Sequence, residues 1–285
     1  GSESMHFETA PAKINLTLDT LYKRDDGYHE VNMVMTTVDL NDQLSFEKRT
    51  DGKIFIETEH QYVPSDRRNL AYQAAELMMD TYGITSGVTT SIEKNIPIAA
   101  GLAGGSADAA AAFRGINALY NLELDIDTLA ELSGKLGSDI PFCVYGGTAL
   151  ATGRGEQIEH LPKPPNAWVV LAKPKVNVST RTIYQALEPG KNEPASPKMV
   201  EAIGNRDYPL MMQVLKNDLQ EVTMKKYPDV RKLLDTMLSN GADGAMMSGS
   251  GPTVFGFAHK ERQATHLYNA MKGCCNEVYK VRLLG

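Results

Sequence analysis

Residues 97 to 108 read Pro-Ile-Ala-Ala-Gly-Leu-Ala-Gly-Gly-Ser-Ala-Asp and open an alanine-rich stretch that runs from Ala107 to Ala112. No other segment constrains the chain as much. Three glycines (Gly101, Gly104, Gly105) stand among side chains no larger than leucine. Such a backbone can approach a ligand closely and adopt angles that other residues avoid. Ser106 suits the N-cap of the helix that follows, and Asp108 adds negative charge to its first turn. Unpaired N–H groups at a helix start, at the positive end of the helix dipole, favour a phosphate. Taken alone, the stretch also fits a glycine-rich turn that merely precedes a helix.

The common phosphate-loop signatures are excluded by spacing. No Gly-Lys-Ser/Thr closes the loop, and the nearby Gly134-Lys135 is followed by Leu136. Gly101-Leu102-Ala103-Gly104 has the wrong glycine spacing for a dinucleotide fingerprint. No His-Arg-Asp or Asp-Phe-Gly accompanies it, which removes the protein kinases. The Pro-x-x-x-Gly-Leu opening at Pro97 instead resembles the phosphate loop of the GHMP small-molecule kinases. Three further segments carry the resemblance to members that act on a cytidine-bearing substrate. They are Ala10-Pro11-Ala12-Lys13-Ile14-Asn15-Leu16, Asp26-Gly27-Tyr28-His29-Glu30 and Gly137-Ser138-Asp139-Ile140-Pro141-Phe142. A fourth, Ser248-Gly249-Ser250-Gly251-Pro252-Thr253, matches the C-terminal glycine loop of the superfamily. The likeness runs from about residue 7 to the C-terminus, with the motifs in family order.

Composition agrees with an enzyme of small molecules. At 285 residues the chain can bury a sizeable core. Its hydrophobic fraction of 42% and charged fraction of 22% are those of a soluble globular protein. A net charge of −6 argues against nucleic acid or an anionic membrane as the main partner. No apolar run reaches membrane-spanning length and no secretory signal is visible. Gly1 to Ser4, before Met5, read as a cloning remnant. The cysteines Cys143, Cys274 and Cys275 are odd in number and two are adjacent, which favours a reducing compartment, hence the cytoplasm. No metal-site spacing of cysteines or histidines occurs.

The patterning predicts strands over 31–38, 53–58, 88–92, 167–172, 253–257 and 277–281. Helices are predicted over 69–82, 106–120, 124–136, 228–239 and 262–271, with Gly83 and Gly137 as breaks. This is an α+β chain. The proline-dense stretch 161–165 is the best boundary, dividing it into domains 5–160 and 161–285. The resemblance implies an ATP-binding domain followed by a C-terminal domain, with the active site in the cleft between them.

The resemblance also assigns roles. Lys13 and Asp139 are carried over as the catalytic pair. Read without it, Lys13 and Asn15 share one face of a strand that could be solvated, with Ile14 and Leu16 opposite, and Asp139 is a turn residue that could be a cap. ATP would lie on Pro97, Ile98, Ala99, Ala100, Gly101, Leu102, Ala103, Gly104, Gly105, Ser106 and Ala107, with Asn69 near the adenine. Mg²⁺ would accompany the phosphates, with the Ser106 hydroxyl as its protein ligand. Substrate residues are Asn15, Tyr28, His29, Thr180, Tyr184, Ser248, Gly249, Ser250 and Gly251. Tyr28 and Tyr184 would stack a cytosine and His29 would hydrogen-bond it. Asp26-Gly27 is equally a plain turn dipeptide, and Tyr184 equally a core residue of an amphipathic helix. Alanine replaces the frequent glycine at 103, which is tolerable where φ is negative, and replaces the frequent serine at 107. The implied substrate is a cytidine diphosphate. A kinase of another small alcohol and a non-catalytic relative are the alternatives.

Overall fold

The computed structural model describes residues 5–285, so the Gly1 to Ser4 leader lies outside the described residues. Two compact units interleave along the chain. One takes the residues up to Ala12 together with Leu40–Ile98 and Ala103–Gly146. The other takes Lys13–Asp39, Ala99–Leu102 and Gly147–Gly285. The long strands β1 (Met5–Lys23) and β2 (His29–Lys48) are neighbours in one sheet, and each passes from one unit into the other.

In the first unit, β3 (Ile54–Glu57) runs parallel to β4 (Val88–Glu93), and β4 pairs antiparallel with the second half of β2, Gln43 facing Glu93. Helix α1 (Leu70–Tyr82) starts at Asn69 and stops at Gly83, whose φ of 65° is left-handed, as the sequence predicts. Helix α2 (Gly104–Leu119) is the centre of the unit and packs against α1, α3 (Ile126–Ser133) and α4 (Ile140–Tyr145). Its alanines 107 and 109–112 are buried, and small side chains on every face let three helices approach one. Gly115 serves the same end: a Cβ there would come within 2.3 Å of the Phe46 ring.

Two expectations at this helix are corrected. Ser106 is not its N-cap, because the helix begins at Gly104 after Ala103, whose φ is 55°. The left-handed turn at Ala103 starts the helix early, and the Ala103 carbonyl accepts the Ala107 N–H at 2.8 Å. A negative φ at Ala103 was the condition for alanine there, and it does not hold. Asp108 does not charge the first turn either: with the helix starting at Gly104 it lies beyond that turn, 3% exposed and paired with Lys94. The helix predicted over 124–136 is shorter, because Asp125 caps it by accepting the Thr128 N–H.

In the second unit, β5 (Thr148–Thr152) pairs antiparallel with the first half of β2 and with β6 (Gln157–His160). The stretch 161–165 leads from β6 to β7 (Trp168–Lys173), and β8 (Lys216–Asn217) lies parallel to β1 at Thr17 and Leu18. Strands β9 (Gly244–Met247), β10 (Val254–Ala258) and β11 (Glu277–Arg282) join β7 in an antiparallel sheet of order β11-β7-β10-β9. All of β10 is buried, which is why it reads as an uninterrupted apolar run. Helices α5 (Thr180–Ala186), α6 (Ser196–Gly204), α7 (Tyr208–Val214) and α8 (Gln220–Lys226) precede α9 (Pro228–Ser239) and α10 (Glu261–Lys272). The last two cover one face of the four-stranded sheet.

Candidate active site

Most of the expected residues, Lys13 among them, fall in the second unit. The β1 alternation puts Lys13 and Asn15 on one face, yet that face is not solvated: Lys13 is 5% exposed and Asn15 1%. The Lys13 amine donates to Asn15 Oδ1 at 2.6 Å and to the Gly101 carbonyl at 3.2 Å. The Lys13 backbone N–H donates to the Leu102 carbonyl at 3.1 Å, so strand and glycine loop are tied at the same point. Asn15 Oδ1 also accepts the Gly249 N–H at 3.0 Å, and Asn15 Nδ2 donates to the Met33 sulfur.

Segments 99–102 and 248–253 are bound to each other within this unit. Ser248 Oγ donates to the Gly101 carbonyl at 2.9 Å, and the Thr253 N–H donates to the Ala100 carbonyl. Gly101 has φ 81°, and a Cβ on it would lie 2.3 Å from the Ser248 carbonyl oxygen. No side chain fits there. Asn217 Nδ2 donates to the carbonyls of Met247 and Gly249, and Thr223 Oγ1 to that of Ser250. Most amides of the second loop are thus committed: Ser248 donates to Thr253, Gly249 to Asn15 and Gly251 to Ser248. Among the described residues the Ser250 amide has no acceptor. Its hydroxyl lies 2.7 Å from Thr180 Oγ1 at the start of α5.

The aromatic group sits in the same unit. Asp26 accepts the Tyr28 N–H and Gly27 has φ 88°, so Asp-Gly does make a turn, and that turn presents Tyr28 with 55% of its surface exposed. The rings of His29 and Tyr184 are 5.1 Å apart at 40°. On α5 only Ile183 is buried, so Tyr184 is not the core residue of that helix. Burial, with the nearby Lys23 charge adding to it, pushes the His29 imidazole below its ordinary value. His29 is therefore neutral at neutral pH, with one donor and one acceptor nitrogen. Arg154 lies over the Tyr28 ring, 4.5 Å from its centroid. Sequence reasoning missed Arg154, Asn217 and Thr223, and the only signal for the first was its place in Gly153-Arg154-Gly155.

The first unit holds the helix end of the loop. Pro97 is buried, Ile98 is half-buried and Ala99, with φ 53°, is exposed at the point where the chain leaves the unit. The amides of Gly104, Gly105 and Ser106 precede the first α2 hydrogen bond and have no intrahelical acceptor. Space is open at Gly105, where a Cβ would meet only a Leu70 methyl at 3.9 Å. Beneath this end the Lys94 ammonium bridges Asp42 (2.5 Å) and Asp108 (3.2 Å), with all three side chains buried. Asp42 also accepts the N–H groups of Asn95 and Ile96. Burial and the neighbouring Asp42 hold the Asp108 carboxyl well above the usual carboxylate range.

Asp139 immediately precedes α4 and is half-buried. Its carboxylate makes no capping bond, so the cap alternative fails. Asn69 spends both ends of its amide locally, accepting from Ala71 N–H and donating to the Pro64 carbonyl. Among the described residues no cluster of three histidine, cysteine or acidic side chains could hold a metal ion.

The order and spacing of these parts have counterparts in known proteins. Residues 69–147 match the GHMP kinases N terminal domain, and residues 199–277 match the GHMP kinases C terminal domain. The 4-diphosphocytidyl-2-C-methyl-D-erythritol kinase of Macrococcus caseolyticus is 61% identical over 283 residues, covering 99% of this chain and 100% of that protein. A Staphylococcus epidermidis protein that bears the same name provisionally is 59% identical over 282 residues, with 99% and 100% covered. A crystal structure of 4-(cytidine 5'-diphospho)-2C-methyl-D-erythritol kinase superposes with a TM-score of 0.84 at 33% identity, covering 98% of this chain and 100% of that one. The chain belongs to the GHMP kinases, and within them to the 4-diphosphocytidyl-2-C-methyl-D-erythritol kinase family.

Proposed function

We propose that the chain transfers the γ-phosphoryl group of ATP to the 2-hydroxyl of 4-diphosphocytidyl-2-C-methyl-D-erythritol, a step of non-mevalonate isoprenoid precursor synthesis. The observation that carries the reading is the buried Lys13 amine, held by Asn15 and Gly101 on the glycine loop. Phosphoryl transfer leaves the protein little covalent work beyond positioning and charge stabilisation. Lys13 offsets charge on the phosphoryl oxygens. Asp139, uncommitted to α4, accepts the hydrogen bond of the attacking hydroxyl and takes its proton, a role worth roughly 10²–10⁴-fold. The amides of Gly104, Gly105 and Ser106 receive the phosphates at the positive end of α2.

Mg²⁺ fits as an ion that arrives on the nucleotide. There is no acidic cage among the described residues, and the Ser106 hydroxyl at the start of α2 is the side chain that would hold it beside the nucleotide phosphates. When bound it neutralises charge on the transferring group. Tyr28 and Tyr184 offer ring faces to the cytosine, and neutral His29 offers a donor and an acceptor to its edge. Ser250 and Thr180 contact the acceptor. No disulfide joins the described cysteines and no described helix is long and apolar enough to cross a membrane, which suits a cytoplasmic enzyme of a soluble substrate. Tyr28→Ala tests the substrate assignment directly. KM for the cytidine substrate should rise several-fold with KM for ATP unchanged, and an unaltered KM contradicts the assignment.

A further inference from the structure

We propose that Arg154 is a specificity-determining residue that reads the diphosphate of the cytidine substrate beside Tyr28. The inference rests on the cytidine diphosphate reading above and adds a residue and a chemical group to it. Arg154 occupies the tip of the hairpin between β5 and β6, flanked by Gly153 (φ 71°) and Gly155 (φ 116°). Its root is fixed on three sides. The Arg154 N–H donates to Glu156 Oε2 at 2.8 Å, the Gly155 N–H to the Thr152 carbonyl at 3.0 Å, and the Val31 N–H to the Gly153 carbonyl at 2.9 Å. The last bond ties the hairpin to β2 two residues beyond His29.

The head of the side chain is not committed in the same way. Its guanidinium lies 4.5 Å from the Tyr28 ring centroid, and no carboxylate pairs with it among the described residues. The contrast with Arg24 is informative. Arg24, on the Asp26-Gly27 turn that carries Tyr28, is neutralised by Asp26 (3.1 Å) and Glu30 (2.8 Å). Lys23 adds a positive charge near His29, but among the described residues Arg154 is the cation that lies over the Tyr28 ring itself. A cation over an exposed ring is worth only about 0.5–1 kcal/mol, too little to hold the fork against a better partner. A guanidinium matches the oxygen spacing of a phosphate and binds it with two parallel hydrogen bonds. A diphosphate attached to a base stacked at Tyr28 is such a partner.

The test is competitive inhibition by cytidine and by cytidine diphosphate, measured against the kinase substrate in the full chain and in Arg154→Ala. The tip is partly exposed and no core side chain packs through it, so the variant should fold, and an unchanged KM for ATP verifies that. In the parent chain cytidine diphosphate should inhibit better than cytidine. In Arg154→Ala its inhibition constant should rise about tenfold or more, the scale of a lost charged hydrogen bond, while that of cytidine changes less than about twofold. Arg154→Lys, which keeps the charge without the fork, should recover part of the gain. Equal weakening of both inhibitors would mean that Arg154 only shapes the Tyr28 platform, and no change would remove it from recognition; either overturns the proposal. If neither compound competes in the parent chain, the cytidine reading itself fails, which is a different result.

Discussion

Asn15 Oδ1 receives the Lys13 amine at 2.6 Å and the Gly249 amide at 3.0 Å. One amide oxygen thus positions the cation carried by β1 and the second glycine loop. Asn15→Ala removes both bonds and leaves the half-buried Gly249 amide without this acceptor, which costs roughly 1–3 kcal/mol. We expect a fall in kcat of at least tenfold together with a lowered melting temperature. Steady-state kinetics and thermal unfolding on the same preparation check both, and full activity would show that Lys13 is positioned by other contacts.

Gly101 and Ala103, both at positive φ in the first glycine loop, should respond to substitution in opposite directions. Gly101→Ala places a Cβ 2.3 Å from a backbone oxygen at φ 81°, so it should destabilise by at least about 2 kcal/mol. Ala103 already carries a Cβ at φ 55°, and Ala103→Gly relieves a strain of roughly 1–2 kcal/mol, part of it offset by the greater freedom of the unfolded chain. Denaturant melts of the two variants give the comparison. A stabilised Gly101→Ala would contradict the loop geometry.

Lys94 has two acidic partners of unequal weight. Asp42 accepts its ammonium and two backbone amides, so Asp42→Ala should cost about 3–5 kcal/mol, as expected when a buried charge loses its partner. Asp108 is held above the ordinary carboxylate range by burial, and one of its oxygens has no partner. A raised folded pKa means that stability from this group is fully present at low pH and declines as pH climbs from the unfolded value toward the folded one. Asp108→Asn, which mimics the protonated form, should therefore be tolerated with little change in unfolding midpoint at neutral pH. A loss as large as that of Asp42→Ala would mean that Asp108 is a full ionic partner.

Substrate binding should depend on pH through His29. Its folded pKa is depressed, so the neutral ring persists at neutral pH, and acidification below about 6.5 is needed to charge it. A depressed histidine pKa also means that the folded state loses stability as pH falls, because the unfolded chain binds the proton more tightly. KM for the cytidine substrate should be flat from about pH 7 upward and rise as the ring charges below that ordinary value. The pH profile of His29→Gln should lack that rise. A parent KM that improves in acid would require a protonated His29.

Much of the fold was legible because its signals are local. Asn69 and Gly83 bracket α1 with a cap and a left-handed stop, and the continuous apolar run of β10 marks a strand buried on both faces. What escaped depends on partners distant in sequence. Whether Ser106 or Ala103 begins α2 turns on a backbone angle that composition does not encode. Asp108 reads as a helix-start charge until Lys94 and Asp42 are seen beside it. Lys13 and Asn15 were legible as a pair on one strand face, but their burial comes from Gly101 and Gly249, far along the chain. Arg154 was invisible for the same reason: its meaning lies in a tyrosine 126 residues earlier.

The most direct measurement is ADP release from Mg-ATP and 4-diphosphocytidyl-2-C-methyl-D-erythritol, run beside Asp139→Asn. We expect turnover by the parent chain and a loss in kcat of at least about 100-fold in the variant, the lower end of general-base effects, with ATP affinity retained. Turnover that survives Asp139→Asn would remove Asp139 from the mechanism. No turnover by a parent chain that still binds ATP would contradict the proposed substrate and point to another alcohol or to a relative without catalysis.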